Sequence, residues 1–178
     1  WHLNTSGVRG TPALYDVDGD GNIEVVFGDM QGTIYCLEGA TGNIKWQENW
    51  GGKFIHSPVI GDIDGNGDFE IVISNYDNGE VLALDGENGN CKWAKNYTTW
   101  GTPALGDVDG DGQIEVIFTA SDHYAYCLSG HNGSQEWQYY ISSFSYSTGV
   151  SPALHDVNHD NVPEVFVSSV ICLDGTDG

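Results

Sequence analysis

The chain has 178 residues, 26 of them acidic against five basic, for a formal net charge of −21. With no basic patch to meet phosphate, nucleic acid and an anionic membrane surface are excluded as partners. No run of 18 apolar residues is present to insert in a membrane as a helix, and 25 glycines among many aromatic and β-branched residues point to an all-β chain rich in turns.

In chain order, residues 1–5 read as the outer strand of a preceding unit. Trp46, Trp93 and Trp137 each close a pattern Gly-x-x-Gly-x-x-x-Trp, as in Gly39 to Trp46, Gly86 to Trp93 and Gly130 to Trp137. Trp1 stands 15 residues before its acidic loop; the others stand 16, 14 and 19 before theirs. Trp1 is therefore the same element without its turn. No leader pattern opens the chain, as expected of a mature or excised segment.

The first full unit follows. Thr11-Pro12-Ala13-Leu14-Tyr15 reads as strand one, since proline at a strand start costs no ladder bond. An acidic loop from Asp16 to Glu24 leads to strand two, Ile23 to Phe27. A short turn then gives strand three, Thr33 to Leu37, and the Thr41-Gly42 turn gives strand four around Trp46. The same order recurs after Ser57-Pro58, Thr102-Pro103 and Ser151-Pro152. Strand two is apolar throughout rather than alternating, which predicts a sheet covered on both faces.

The acidic loop sets the period. Its copies begin at Asp16, Asp62, Asp107 and Asp156, at spacings of 46, 45 and 49 residues. Each offers oxygen at positions 1, 3, 5, 7 and 9: Asp16, Asp18, Asp20, Asn22 and Glu24; Asp62, Asp64, Asn66, Asp68 and Glu70; Asp107, Asp109, Asp111, Gln113 and Glu115; Asp156, Asn158, Asp160, Val162 and Glu164. Position 7 would supply a backbone carbonyl. Calcium takes six to eight oxygens in flexible geometry, and a glycine at position 6 (Gly21, Gly67, Gly112) allows the sharp turn. Asp-Gly pairs also make plain hairpins. Fifteen of the 26 acids lie in these loops, however, and carboxylates so crowded repel without a cation among them. Magnesium fits less well because it demands stricter geometry. Three strong Ca2+ sites are expected. The fourth, with Asn158 for Asp, His159 and Asn161 for glycine, and Pro163 at its exit, is expected to be weak or empty.

Four-stranded units of this length in tandem predict a β-propeller with four blades of four antiparallel strands. The boundaries are 1–5 for the outer strand, 6–50, 51–97 and 98–141 for blades one to three, and 142–178 for an incomplete blade four. A solenoid of hairpins is the alternative architecture. The tryptophans are expected between blades. Glu164 to Cys172 spans 8 residues where Glu24 to Cys36 spans 12, so the turn around Ser168-Ser169 is cut short. Trp1 could supply the missing strand of blade four, two copies could form one ring, or the chain could be part of a larger ring, the arrangement favoured here.

Thr/Ser-Pro-Ala-Leu-x-Asp-Val-Asp-Gly-Asp-Gly, followed by x-Glu-Val and Gly-x-x-Gly-x-x-x-Trp, resembles the repeats of FG-GAP and PQQ-like (quinoprotein-like) propellers across essentially the whole chain. The acidic loop is similar to the calcium loops of integrin α-subunit blades. The resemblance implies a propeller with calcium loops between strands one and two. Ala40-Thr41-Gly42 keeps the docking motif of quinoprotein-like blades, whereas Glu87-Asn88-Gly89 and His131-Asn132-Gly133 depart from it, which argues against quinone chemistry.

The connections from strand four to the next strand one are aromatic: Trp50 and Phe54; Tyr97 and Trp100; Tyr139, Tyr140, Phe144 and Tyr146. They could grip a protein or carbohydrate ligand, or pack locally. Cys36, Cys127 and Cys172 share one repeat position and read, without a disulfide, as small buried side chains. Asn4, Asn96 and Asn132 head glycosylation acceptor patterns. No catalytic set stands out among the six histidines and the remaining acids. The expectation is a secreted or cell-surface, calcium-stabilised binding, adhesion or assembly domain, alone, as a homo-oligomer or within a larger propeller. The alternatives are part of a calcium-dependent polysaccharide lyase or a quinoprotein dehydrogenase fragment.

Overall fold

The structure is a computed structural model describing residues 1–99, 101–141, 150–167 and 171–178. Fifteen strands are present among them: β1 (Ala13–Tyr15), β2 (Glu24–Gly28), β3 (Thr33–Glu38), β4 (Ile44–Asn49), β5 (Val59–Gly61), β6 (Glu70–Asn75), β7 (Glu80–Asp85), β8 (Cys91–Asn96), β9 (Ala104–Gly106), β10 (Glu115–Thr119), β11 (Tyr124–Ser129), β12 (Gln135–Tyr140), β13 (Ala153–His155), β14 (Glu164–Val167) and β15 (Ile171–Leu173). They form three four-stranded antiparallel sheets, β1-β2-β3-β4, β5-β6-β7-β8 and β9-β10-β11-β12, and a three-stranded sheet, β13-β14-β15. The chain is all-β, built as successive propeller blades. Trp100, Phe144, Tyr146 and the Ser168-Ser169 turn lie outside the described residues.

The apolar second strands explain how blades stack. Successive side chains of a strand point to opposite faces. In β6, Ile71 and Ile73 join a core with Val26, Ile34 and Trp46 of blade one, while Val72 joins a core with Val116, Phe118 and Leu128 of blade three. In β10, Ile117 turns toward Val165 and Val167 of blade four. β6 and β10 thus each serve two interfaces with alternate apolar side chains.

Two further seams hold blade to blade. The Thr11 amide donates to Ser57 Oγ at 2.8 Å, Ser57 N to Thr102 Oγ1 at 3.2 Å, and Thr102 N to Ser151 Oγ at 3.0 Å. This ladder gives a reason for Thr or Ser before each strand-one proline. At the other seam, the indole of one blade docks on the Gly-x-x-Gly turn of the next. Nε1 of Trp46, Trp93 and Trp137 donates to the carbonyls of Gly86, Gly130 and Gly175 at 2.9, 2.6 and 2.7 Å. Gly89 shows why the second glycine is needed. It has φ +76°, and a Cβ there would lie 2.8 Å from Trp46.

Residues 1–5 carry no strand, yet Trp1 Nε1 donates to Gly39 O at 2.8 Å, the same seam made onto blade one. All four cysteines are free. Cys36 and Cys127 are buried as expected, but Cys172 is exposed. It sits on β15, the edge strand of a sheet that has three strands among the described residues.

Candidate metal centre

Each acidic loop is tied by the same short bonds. The closing glutamate accepts the amide of loop position 2 through Oε2: Glu24 from Val17 at 3.1 Å, Glu70 from Ile63 at 3.0 Å, Glu115 from Val108 at 2.9 Å and Glu164 from Val157 at 2.8 Å. The opening aspartate accepts the amide of position 6, from Gly21, Gly67, Gly112 and Asn161, at 2.9–3.0 Å. Position 5 accepts the amide of position 7: Asp20 from Asn22 at 2.7 Å, Asn66 from Asp68 at 2.6 Å, Asp111 from Gln113 at 2.7 Å and Asp160 from Val162 at 2.9 Å. These turns need left-handed backbone at positions 4 and 6. In loop four, His159 (φ 67°) and Asn161 (φ 76°) adopt it without being glycine.

The fold thereby gathers carboxylates. Asp16, Asp18 and Glu24 bring one oxygen each to within 4.8 Å of one another, as do Asp62, Asp64 and Glu70, and Asp107, Asp109 and Glu115. Oxygens bound to one calcium at about 2.3–2.6 Å can lie up to about 5 Å apart, so each trio fits a shared ion. Among the described residues, the buried Asp16 Oδ1 accepts no hydrogen bond. Asp20, Asp68 and Asp111 are not part of these trios. Asn22 and Gln113 turn their side-chain amides to Asp20 and Asp111 at 2.9 and 2.7 Å. In loop four, Asn158 donates its amide to Glu164 Oε1, and no carboxylate trio forms among the described residues.

In the first two trios a lysine ammonium already sits on the carboxylates. Lys45 Nζ contacts Asp18, with Glu24 Oε1 at 3.2 Å and Asp20 Oδ2 at 3.4 Å. Lys92 Nζ contacts Asp64 and lies 2.7 Å from Glu70 Oε1. Desolvation opposes the Lys45 charge, but hydrogen bonds to Asp18 and Glu24 hold its pKa above the ordinary value. In repeat three the equivalent residue is Glu136. Burial, aided by Glu136, Asp109 and Asp111, pushes Glu115 up to about 7. Sequence reasoning missed these residues. The only hint is the residue before each docking tryptophan: Lys45, Lys92, Glu136.

The aromatic connections are largely structural. Phe54 is buried in the first core with Trp50 against it, and Tyr97 packs on Phe118 and Tyr126 at 5.0 and 4.6 Å between ring centres. Tyr139 and Tyr140 are exposed.

The family model described as outer membrane protein assembly factor BamB matches residues 1–175, and the chain belongs to that family. No curated protein sequence matches it. Among solved structures, BamB from Moraxella catarrhalis is similar at TM-score 0.63 and 17% identity, over 84% of this chain and 41% of that one. The PilY1 C-terminal domain from Pseudomonas aeruginosa gives 0.58 at 17%, over 82% and 36%. The biofilm matrix protein Bap1 of V. cholerae gives 0.52 at 20%, over 95% and 38%. The chain spans about two fifths of the length of these structures, and likeness at such identity shows the propeller fold alone.

Proposed function

We propose that the chain is the calcium-binding part of a secreted or cell-surface propeller that binds a protein partner or serves in assembly, with calcium structural rather than catalytic. The supporting observation is the carboxylate trio repeated at one place in three successive blades, each anchored on a buried glutamate. An ion there would neutralise the loop and pin strand one to strand two. The ligands would be Asp16, Asp18 and Glu24; Asp62, Asp64 and Glu70; and Asp107, Asp109 and Glu115. Positions 5 and 7 (Asp20 and Asn22, Asn66 and Asp68, Asp111 and Gln113) would complete the shells. An outer membrane protein assembly factor and a biofilm matrix protein among the relatives support a binding role outside the cytoplasm. The test is calorimetric melting in millimolar calcium, in magnesium and in EDTA. Calcium should raise the Tm by several degrees over EDTA, and magnesium by less. Superimposed melts in all three would sink the proposal.

A further inference from the structure

We propose that this chain binds a second copy of itself end to end. Residues 1–5 of one copy lie along β15 of the other as its fourth strand, with Trp1 opposite Cys172. Blade one of the first copy then packs on the outer face of blade four of the second.

Residues 1–7 sit on blade one as the end of one blade sits on the next. Trp1 Nε1 donates to Gly39 O at 2.8 Å, as Trp46, Trp93 and Trp137 do to Gly86, Gly130 and Gly175. The Met30 amide donates to Gly7 O at 3.0 Å, as the amides of Tyr76 and Ser121 donate to Lys53 O and Thr98 O. A Cβ on Gly42 would run into the Trp1 ring, as one on Gly89 would into Trp46 and one on Gly133 into Trp93. Residues 1–5 therefore hold the place of a fourth strand, yet they belong to no sheet. Trp1 is 62% exposed where Trp46 is 9% exposed.

Blade four shows the reverse. Among the described residues, no strand lies along the outer edge of β15. Backbone N–H and C=O groups on a bare edge are a template for an added strand. In the complete blades, the residue at the Cys172 position pairs with the docking tryptophan: Cys36 with Trp46, Ala83 with Trp93, Cys127 with Trp137. That register sets Trp1 against Cys172.

The two outer faces also fit each other. At the interior junctions Val17, Ile63 and Val108 are at most 3% exposed, and they abut Gly86, Gly130 and Gly175 of the next blade. Their counterpart Val157 is 49% exposed. Gly39, the counterpart of those glycines, has its nearest neighbours, Ile23 and Val25, in its own blade. Ile60, Leu105 and Leu154 pack into the cores between blades, whereas their counterpart Leu14 is 64% exposed. Val157 and Leu14 are the two uncovered halves of a contact that three interior junctions make. A second copy supplies the missing half on each side, with the same acceptor, the same glycine turn and the same apolar residues.

Sedimentation velocity of the whole chain over a concentration series at physiological ionic strength tests this, with circular dichroism to check folding. The natural chain should pass from monomer to larger species as concentration rises. Trp1→Ala removes the docking ring from one end, and Val157→Asp places a charge in the apolar contact at the other. Both positions are exposed in the single copy, so both variants should fold. Each alone should need about tenfold more protein to associate. An equimolar mixture of the two should form a one-to-one pair, because Trp1→Ala keeps an intact blade four and Val157→Asp keeps intact residues 1–5. A natural chain that stays monomeric at every concentration would overturn the inference. So would association that neither substitution weakens, or that the mixture does not restore.

Discussion

The indole N–H of Trp93 donates to the Gly130 carbonyl at 2.6 Å, so the last strand of blade two is bonded to a turn of blade three. The ring also covers the left-handed Gly133, where a Cβ would lie 2.9 Å from it. Trp93→Ala should cost about 3–5 kcal/mol of stability. Trp93→Phe, which keeps the ring but orphans the carbonyl, should cost about 1–3 kcal/mol. Gly130→Ala should also destabilise, because its Cβ would stand 2.3 Å from Ile114 O and 2.5 Å from Ile63 O. Urea melts followed by tryptophan fluorescence would rank the three.

The glutamates of loops two and three should respond in opposite directions to loss of charge. In EDTA, Glu70→Gln breaks the contact with Lys92 and should destabilise by about 1–3 kcal/mol. Glu115→Gln keeps an oxygen for the Val108 amide while removing a buried carboxylate that has no cation beside it among the described residues, and at pH 8, above its raised pKa of about 7, should raise the Tm. Calorimetry in EDTA checks this, and matching shifts of one sign would contradict it.

His159 holds left-handed backbone that costs a non-glycine residue roughly 1 kcal/mol. Its amide, not its side chain, makes the contact to Asp156 Oδ1. His159→Gly should therefore stabilise by about that amount, read as a higher Tm. A fall in Tm would mean that the imidazole does more than fill the turn.

His56 gives the fold an acid-sensitive point. Its Nε2 is buried without a hydrogen-bond partner among the described residues, and burial lowers its pKa from the usual 6.5. The unfolded chain takes up a proton near pH 6.5 while the folded chain resists. The His56 contribution to stability is therefore full above that pH and falls as pH drops toward the lowered folded value, while Glu115, raised to about 7, contributes in the opposite sense over the same range. His56→Asn should flatten this part of the profile, measured by urea midpoints between pH 7 and 5.

Much of the fold and part of the candidate site were legible in the sequence, and the division follows distance along the chain. The acidic loop bonds to itself within nine residues, and the tryptophan motif repeats at a fixed interval, so periodicity exposes both. The Lys45 and Lys92 contacts span 21 to 28 residues, and both lysines sit at a register slip that no composition signals: Cys36 pairs with Trp46 but Leu37 with Ile44, and Ala83 pairs with Trp93 but Leu84 with Cys91. Phe54 and Tyr97 sit in polar, glycine-containing connections, so nothing nearby marks them as core. Cys172 shares the repeat position of the buried Cys36 and Cys127, but on β15 no strand covers it among the described residues.

The tryptophan seam and the Thr/Ser ladder both run one way. Trp46, Trp93 and Trp137 each donate forward along the chain, as do the amides of Thr11, Ser57 and Thr102. A blade therefore has a giving side and a receiving side that are not alike. Two such modules meeting about a twofold axis would set giver against giver and could not reproduce either seam. Any assembly through these faces would therefore be polar, head to tail or as a closed cycle.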